Sequence, residues 1–268
     1  MLNLGTFSRR LFDSELNWEQ QKAIDGIVSR NYGTLPYLIS GLLGTGKTKT
    51  LTEATLQFLQ CGNRQTRILL CAPSDQRRVI LRCQTLSYHT AAPRQTITSD
   101  SQAFELLSYK TVVTTCRDPI LLTNARMTNT TLCSLDPGSS HYWTVLLVDE
   151  ASQAMEPEPL IPISVVPLPR ECDEGQYGPP PLVVMAGDEH QLGPRTALPH
   201  TPLKTSLFAR LSQSPAEADH PLSGSGRQSL PPLSKSMLPI LRPAFDTLIP
   251  KLPPPFCHPC RAILPLLL

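Results

Sequence analysis

Eight residues, Gly41-Leu42-Leu43-Gly44-Thr45-Gly46-Lys47-Thr48, constrain this chain more than any other feature of its 268 residues. They follow a short apolar run, Tyr37–Ser40, and open a helical pattern, Lys47–Gln60. A glycine-rich turn ending in lysine and a hydroxyl, set between strand and helix, fits GxxxxGK[ST] in the context that motif needs. Gly44 and Gly46 let the backbone curl so that its N–H groups, from Gly41 through Thr45, face phosphate oxygens. The helix start adds partial positive charge. Lys47 can reach terminal phosphates, and the Thr48 hydroxyl suits a magnesium ion. A glycine turn that matches by chance is the plain alternative. Taken alone, the motif points to nucleotide binding and is silent about the task.

The same alternation continues along the chain. Ile68–Ala72, Thr111–Thr115, Val145–Val148 and Leu182–Ala186 are short runs rich in Val, Ile, Leu or Thr with little alternation. Strands buried on both faces of a parallel sheet read this way. Asn17 is placed to cap a helix over 18–30, whose Ala23, Ile24, Ile27 and Val28 form one apolar stripe. A third helix candidate begins near Ser74. Alternation of this kind predicts a doubly wound α/β domain. From Pro199 onward the pattern changes. The last 70 residues hold 14 of the 28 prolines and three acidic residues. Leu203–Leu211 reads as a short helix, Ser223–Ser236 and Leu252–Pro255 as linker or disorder, and Met237–Ile249 as apolar but interrupted by Pro239 and Pro243.

Composition narrows the partners. The chain has 24 basic and 22 acidic residues, a net charge of +2, so any hold on nucleic acid comes from a local groove and not from bulk charge. No apolar run approaches the roughly 20 residues of a membrane span, and no signal core follows Arg9 and Arg10. A cytosolic or nuclear chain without membrane contact is the expectation. The first six of the eight cysteines read as reduced thiols packed like small hydrophobes. Cys257 and Cys260 offer two ligands where structural zinc takes four.

Two further motifs sit at strand ends. In Val148-Asp149-Glu150-Ala151-Ser152, adjacent carboxylates follow a buried apolar run, a costly arrangement unless a cation or a reaction uses them. Asp149 suits the magnesium shell and Glu150 the role of general base toward water. A solvated strand end is the plain alternative. In Gly187-Asp188-Glu189-His190-Gln191-Leu192-Gly193-Pro194, the Gln191 amide can donate to a terminal phosphate and accept from the lytic water. His190 reads as a satisfied loop histidine.

Gly41–Thr48, Asp149-Glu150-Ala151-Ser152-Gln153 and Gly187–Pro194 resemble motifs I, II and III of superfamily-1 helicases, and more narrowly those of the Upf-like group acting in RNA surveillance and silencing. Met155-Glu156-Pro157-Glu158 looks most like the silencing branch. Leu16-Asn17-Trp18-Glu19-Gln20 resembles the Q motif, which implies that Gln20 meets the adenine edge. Cys71-Ala72-Pro73-Ser74 resembles motif Ia and Val113-Thr114-Thr115-Cys116 motif Ic. That likeness implies nucleic-acid contacts at Pro73, Ser74, Thr114 and Thr115. The resemblance spans roughly Leu16 to Leu211. It implies a RecA-like domain over 16–211 that binds ATP and Mg²⁺ and acts on single-stranded RNA, or DNA.

The departures carry expectations of their own. Leu42-Leu43 stand where the family has two prolines, which should loosen the turn. Asp75 sets a negative charge beside the phosphate track and should weaken RNA binding, with Arg77 and Arg78 offsetting it. Residues 1–15 read as a lead-in and 212–268 as a proline-rich tail that forms no complete domain. No motif IV, V or VI is visible, so the expectation is a helicase-type ATPase lacking its second RecA-like domain and arginine finger. A non-catalytic fragment that holds nucleotide, RNA or a protein partner, through an exposed cleft face or the tail, is the competing expectation.

Overall fold

The computed structural model describes residues 9–30, 36–61, 66–75, 109–135, 142–167, 180–188, 190–191, 193–197 and 201–213. The chain divides into two compact units, Met1–Pro232 and Leu233–Leu268. The second unit lies outside the described residues, as do the linker after Ser223, the Cys257–Cys260 pair and the helix candidate beyond Asp75.

Five strands form one parallel sheet. They are β1 (Tyr37–Ser40), β2 (Ile68–Ala72), β3 (Thr111–Thr115), β4 (Val145–Val148) and β5 (Leu182–Gly187), in the order β1-β5-β4-β2-β3. Every pairing is parallel, with Leu38 opposite Met185, Leu147 opposite Val184 and Leu70 opposite Val113. All C-terminal strand ends therefore share one edge, and the loops leaving that edge carry Gly41, Pro73, Asp149 and Asp188. β5 lies between the phosphate-loop strand and the acidic strand, so Gly187 emerges between the two motifs. Ligands of open α/β sheets gather at this edge.

The sequence builds these strands as expected. β2 and β4 are buried at every position, which a parallel sheet covered on both faces requires. Helix α1 (Trp18–Ser29) is closed at its start by Asn17, whose side chain accepts from Gln20 N while Gln20 Oε1 accepts from Asn17 N, each at 2.9 Å. This reciprocal pair satisfies two donors that a bare helix start leaves open. Arg30, in the left-handed conformation at φ 55°, ends the helix. Helix α2 (Lys47–Cys61) starts in the phosphate loop, and its Leu51, Ala54 and Phe58 join Ile27, Tyr37, Leu70, Leu147 and Val184 in one core. Truncating a buried leucine such as Leu147 to alanine should cost about 2–5 kcal/mol.

Three helices have no counterpart in the sequence reading: α3 (Ile120–Asn124), α4 (Asn129–Leu135) and α5 (Pro157–Val165). The first two are too short to display a period, and α5 contains Pro162. A polar staple explains how α4 is placed. Asn129 Nδ2 donates to Trp143 O at 2.7 Å and Val166 O at 2.8 Å, and its Oδ1 accepts from Trp143 N. The helix expected over Leu203–Leu211 is instead a 3₁₀ turn, Pro202–Lys204, followed by α6 (Leu207–Ser212). Ser206 makes the break: its backbone is extended and its hydroxyl accepts from Ala209 N. Among the described residues, no helix is long and apolar enough to cross a membrane.

Candidate functional site

The phosphate loop is held open by its glycines. Gly44 and Gly46 have φ of +81° and +83°, a region that disfavours side chains, and a Cβ on Gly46 would collide with Gln20 Nε2. The turn closes on one carbonyl: Leu42 O accepts from the Thr45 hydroxyl at 2.8 Å and the Thr45 amide at 3.3 Å. Leu42 and Leu43 themselves point outward. Lys47 is buried, and its Nζ donates to Gly41 O at 2.7 Å and Leu42 O at 3.0 Å. Among the described residues no carboxylate lies within ion-pair range of it. A buried cation that has only carbonyl dipoles for partners favours an anion beside it. A cavity of about 240 Å³ opens here, lined by Asn17, Gln20, Ile39, Ser40, Gly41, Thr45 and Lys47 among others. Gln20 reaches the loop as well as the helix cap, since its Nε2 donates to Thr45 O at 2.9 Å.

The acidic strand end meets the phosphate loop directly. Thr48 Oγ1 donates to Asp149 Oδ2 at 2.8 Å, joining positions 101 residues apart. Among the described residues, no three His, Cys, Asp or Glu side chains cluster as a cage for a metal. The hydroxyl and carboxylate are hard oxygen donors, two in number. That set fits Mg²⁺, which usually takes one or two carboxylates and completes its shell with water and substrate phosphates. Glu150, buried next in the chain, adopts φ 50° and ψ 36°. For a residue with a Cβ this left-handed conformation costs about 1–2 kcal/mol, and such strain collects at functional sites. It turns the chain into the 3₁₀ segment Ala151–Gln153 and seats Ser152 Oγ beneath the next motif, where it accepts from Asp188 N at 3.1 Å.

A line of amides leaves Glu150. Its Oε2 accepts from Gln153 Nε2 at 3.0 Å, and the same nitrogen donates to Gln191 Oε1 at 3.3 Å. Gln191 Nε2 is buried and has no hydrogen-bond partner among the described residues. An unanswered buried donor costs about 1–3 kcal/mol, so an acceptor placed beside Gln191 Nε2 would be favoured.

A second cavity, of about 540 Å³, is lined by Pro73, Ser74, Arg117, Gln153, Met155, Glu158, Gln191, Gly193 and Arg195. Two of the four residues singled out for nucleic acid, Pro73 and Ser74, are on its wall. Thr114 and Thr115 are buried and turn inward. Thr114 Oγ1 donates to Asp118 Oδ2 at 2.9 Å, while Thr115 and Asp118 exchange bonds from each amide to the other's side chain. Arg117 projects from that loop instead, with its Nη2 2.7 Å from Glu158 Oε1. Glu158 Oε2 accepts from Met155 N. The sequence reading gave no role to Gln153, Arg117 or Arg195. The spacing Thr115-Cys116-Arg117-Asp118 matches a capping box and could have warned that this threonine is engaged.

Residues 15–80 match a family model described as an AAA domain. The chain is 32% identical over 243 residues to the putative helicase MOV-10 of Gallus gallus, an alignment covering 77% of this chain and 23% of that protein. It is 30% identical over 221 residues to the RNA helicase Mov10l1 of Mus musculus, covering 78% and 18% respectively. Thus the chain spans about a fifth of the length of these relatives. Among solved structures, Bacteroides Pif1 bound to ssDNA aligns with a TM-score of 0.33 and 20% identity, covering 69% of this chain and 34% of that one.

Proposed function

We propose that this chain, which belongs to the Upf-like group of superfamily-1 helicases and carries their first RecA-like domain, binds Mg·ATP and forms the nucleotide-binding half of a nucleic-acid-dependent ATPase. The observation that carries the reading is the bond from Thr48 to Asp149 beside a buried Lys47 that lacks a counter-ion among the described residues. Loop and acidic strand already meet where phosphates and a cation would fit. Thr48 and Asp149 are the residues to hold magnesium, which would neutralise phosphate charge. Gly41, Gly44, Thr45 and Gly46 shape the cradle, and Gln20 stands at the cavity where the base would enter. Glu150 takes a proton from the attacking water, and Gln191 offers its amide to the terminal phosphate.

In this reading single-stranded RNA, or DNA, follows the second cavity past Pro73 and Ser74, with Arg117 and Arg195 supplying charge. Thr114 and Thr115 shape that loop from within. Binding is weak and salt-dependent, since the chain carries a net charge of only +2 and Asp75 is exposed directly after Ser74. We assign the domain to 16–211, keep 212–268 apart as a tail, and place the protein in cytosol or nucleus. Hydrolysis by the 16–211 domain by itself would be slow, because an arginine finger supplied from outside it is worth about a thousandfold or more.

A second reading, a non-catalytic nucleotide-binding module, is favoured by one contact: the Glu150 carboxylate is already engaged by Gln153. Turnover measured with and without single-stranded RNA separates the two. For the main proposal, Lys47→Ala should abolish binding of a fluorescent ATP analogue, and equal affinity in calorimetry would overturn it.

A further inference from the structure

The amide chain between Glu150 and Gln191 has a direction, and chemistry fixes it. An ionised carboxylate only accepts, so the end of the Gln153 amide that faces Glu150 must be its nitrogen. That nitrogen carries two hydrogens. One goes to Glu150 Oε2 at 3.0 Å and the other to Gln191 Oε1 at 3.3 Å. Gln191 therefore has its carbonyl turned toward Gln153. Its own nitrogen faces away, buried and without a hydrogen-bond partner among the described residues. Were Gln191 to flip, two donors would meet and the contact would turn repulsive.

We propose that Gln153 is a positioning residue: by donating to both Glu150 and Gln191 it sets the Gln191 amide with its N–H aimed to receive an acceptor, and so lets this site distinguish a nucleoside triphosphate from a diphosphate. The inference rests on the nucleotide reading above and adds the residue that gives the sensing amide its polarity. Gln153 also lines the second cavity together with Gln191. The same side chain thus touches the base, the sensor and the wall where nucleic acid is placed in that reading. A ligand in the cavity that draws Gln153 away would free Glu150 and release the Gln191 orientation in one movement.

The test is a binding ratio, independent of turnover. With the full chain and Mg²⁺, the affinities of ADP and of a non-hydrolysable ATP analogue are measured by fluorescence titration. The parent should prefer the triphosphate. Gln153→Met keeps the length of the side chain without its donors, and Gln153→Glu keeps acceptors only. Both should lower the preference by about tenfold or more, the worth of one hydrogen bond to a charged oxygen, with ADP affinity unchanged. Gln191→Ala should cause the same loss, and adding Gln153→Met to it should cause no more, because the first acts through the second. A merely structural role would weaken both nucleotides together and add to Gln191→Ala, which overturns the proposal. So does an unaltered ratio in both Gln153 variants when each melts like the parent. A parent that binds neither nucleotide overturns the nucleotide reading as well.

Discussion

Two glutamates of this molecule are equally well hidden from solvent, and each accepts from a glutamine amide, yet their surroundings differ. Glu53, in α2, receives three donors from its own chain: Phe12 N at 3.0 Å, Asp13 N at 3.1 Å and Gln57 Nε2 at 2.9 Å. Gln57 Nε2 also donates to Arg10 O, so the segment before α1 is strapped to α2. Glu150 sits instead on a strained left-handed backbone, and the amide line leaving it ends in a buried donor that meets no acceptor. One cluster is closed by the fold, and the other asks for something from outside. Burial of a carboxylate is thus no sign of function by itself. Here the site is marked by strain and an unanswered donor falling together on one line of side chains, from Glu150 through Gln153 to Gln191.

The largest effect that would sharpen this contrast is on turnover. Glu150→Gln retains an acceptor for Gln153 but cannot take a proton from water, so hydrolysis should fall about a hundredfold or more. Nucleotide affinity and melting temperature should stay close to the parent. If turnover persists undiminished, the base lies elsewhere and Glu150 becomes another structural carboxylate like Glu53.

The converse substitution should act on stability alone. Glu53→Leu removes the acceptor of two backbone N–H groups and of Gln57, costing about 2–4 kcal/mol. A denaturant midpoint that drops while the slope holds would report this. Affinity for nucleotide should be unaltered in the folded fraction. A stable Glu53→Leu protein that has lost nucleotide binding would break the contrast from the other side.

Most of the scaffold could be read from the residues, for identifiable reasons. The five strands are runs buried on both faces, and such runs declare themselves without tertiary information; only Gly187 was added to the last. Asn17 and the phosphate-loop residues obey local rules of capping and turn formation, so both appear where expected. What stayed hidden depends on contacts far apart in sequence. Glu53 looks like an ordinary helix-surface glutamate until residues 10–13 fold over it. Thr114 and Thr115 look like free hydroxyls until Asp118 turns back onto them. Gln153 closes the motif II resemblance, but its individual role is hidden there, because that role comes from Gln191, 38 positions later. The helix over Pro157–Val165 was masked by its own prolines. Pro157 and Pro159 fall in its first turn, where a missing N–H costs little, while Pro162 argues against any helix when propensity is read alone.

The smallest effect belongs to the surface of the same strap. Lys49 Nζ lies 2.9 Å from Asp13 Oδ2 and 3.5 Å from Glu15 Oε2, and both partners of the shorter pair are partly exposed to solvent. The Lys49 ammonium beside Asp13 holds its carboxyl below the usual value, and Asp13 in turn raises Lys49. A lowered acid stabilises the fold above the unfolded aspartate pKa, about 3.9, and that contribution fades as pH falls through the lower folded value. A raised base contributes below about 10.4 and fades as pH rises through its higher folded value. Between these limits the pair is intact, but solvent screens it, and exposed pairs hold little. Asp13→Asn at neutral pH should therefore lower the melting temperature by only a small fraction of the Glu53→Leu shift. In about 1 M salt, where the screening length shrinks to about 3 Å, even that fraction should vanish. The backbone amide of Asp13 still donates to Glu53 in this variant, so the strap stays in place. A salt-resistant loss as large as that of Glu53→Leu would show that surface charge, and not the buried carboxylate, anchors residues 10–13 to α2.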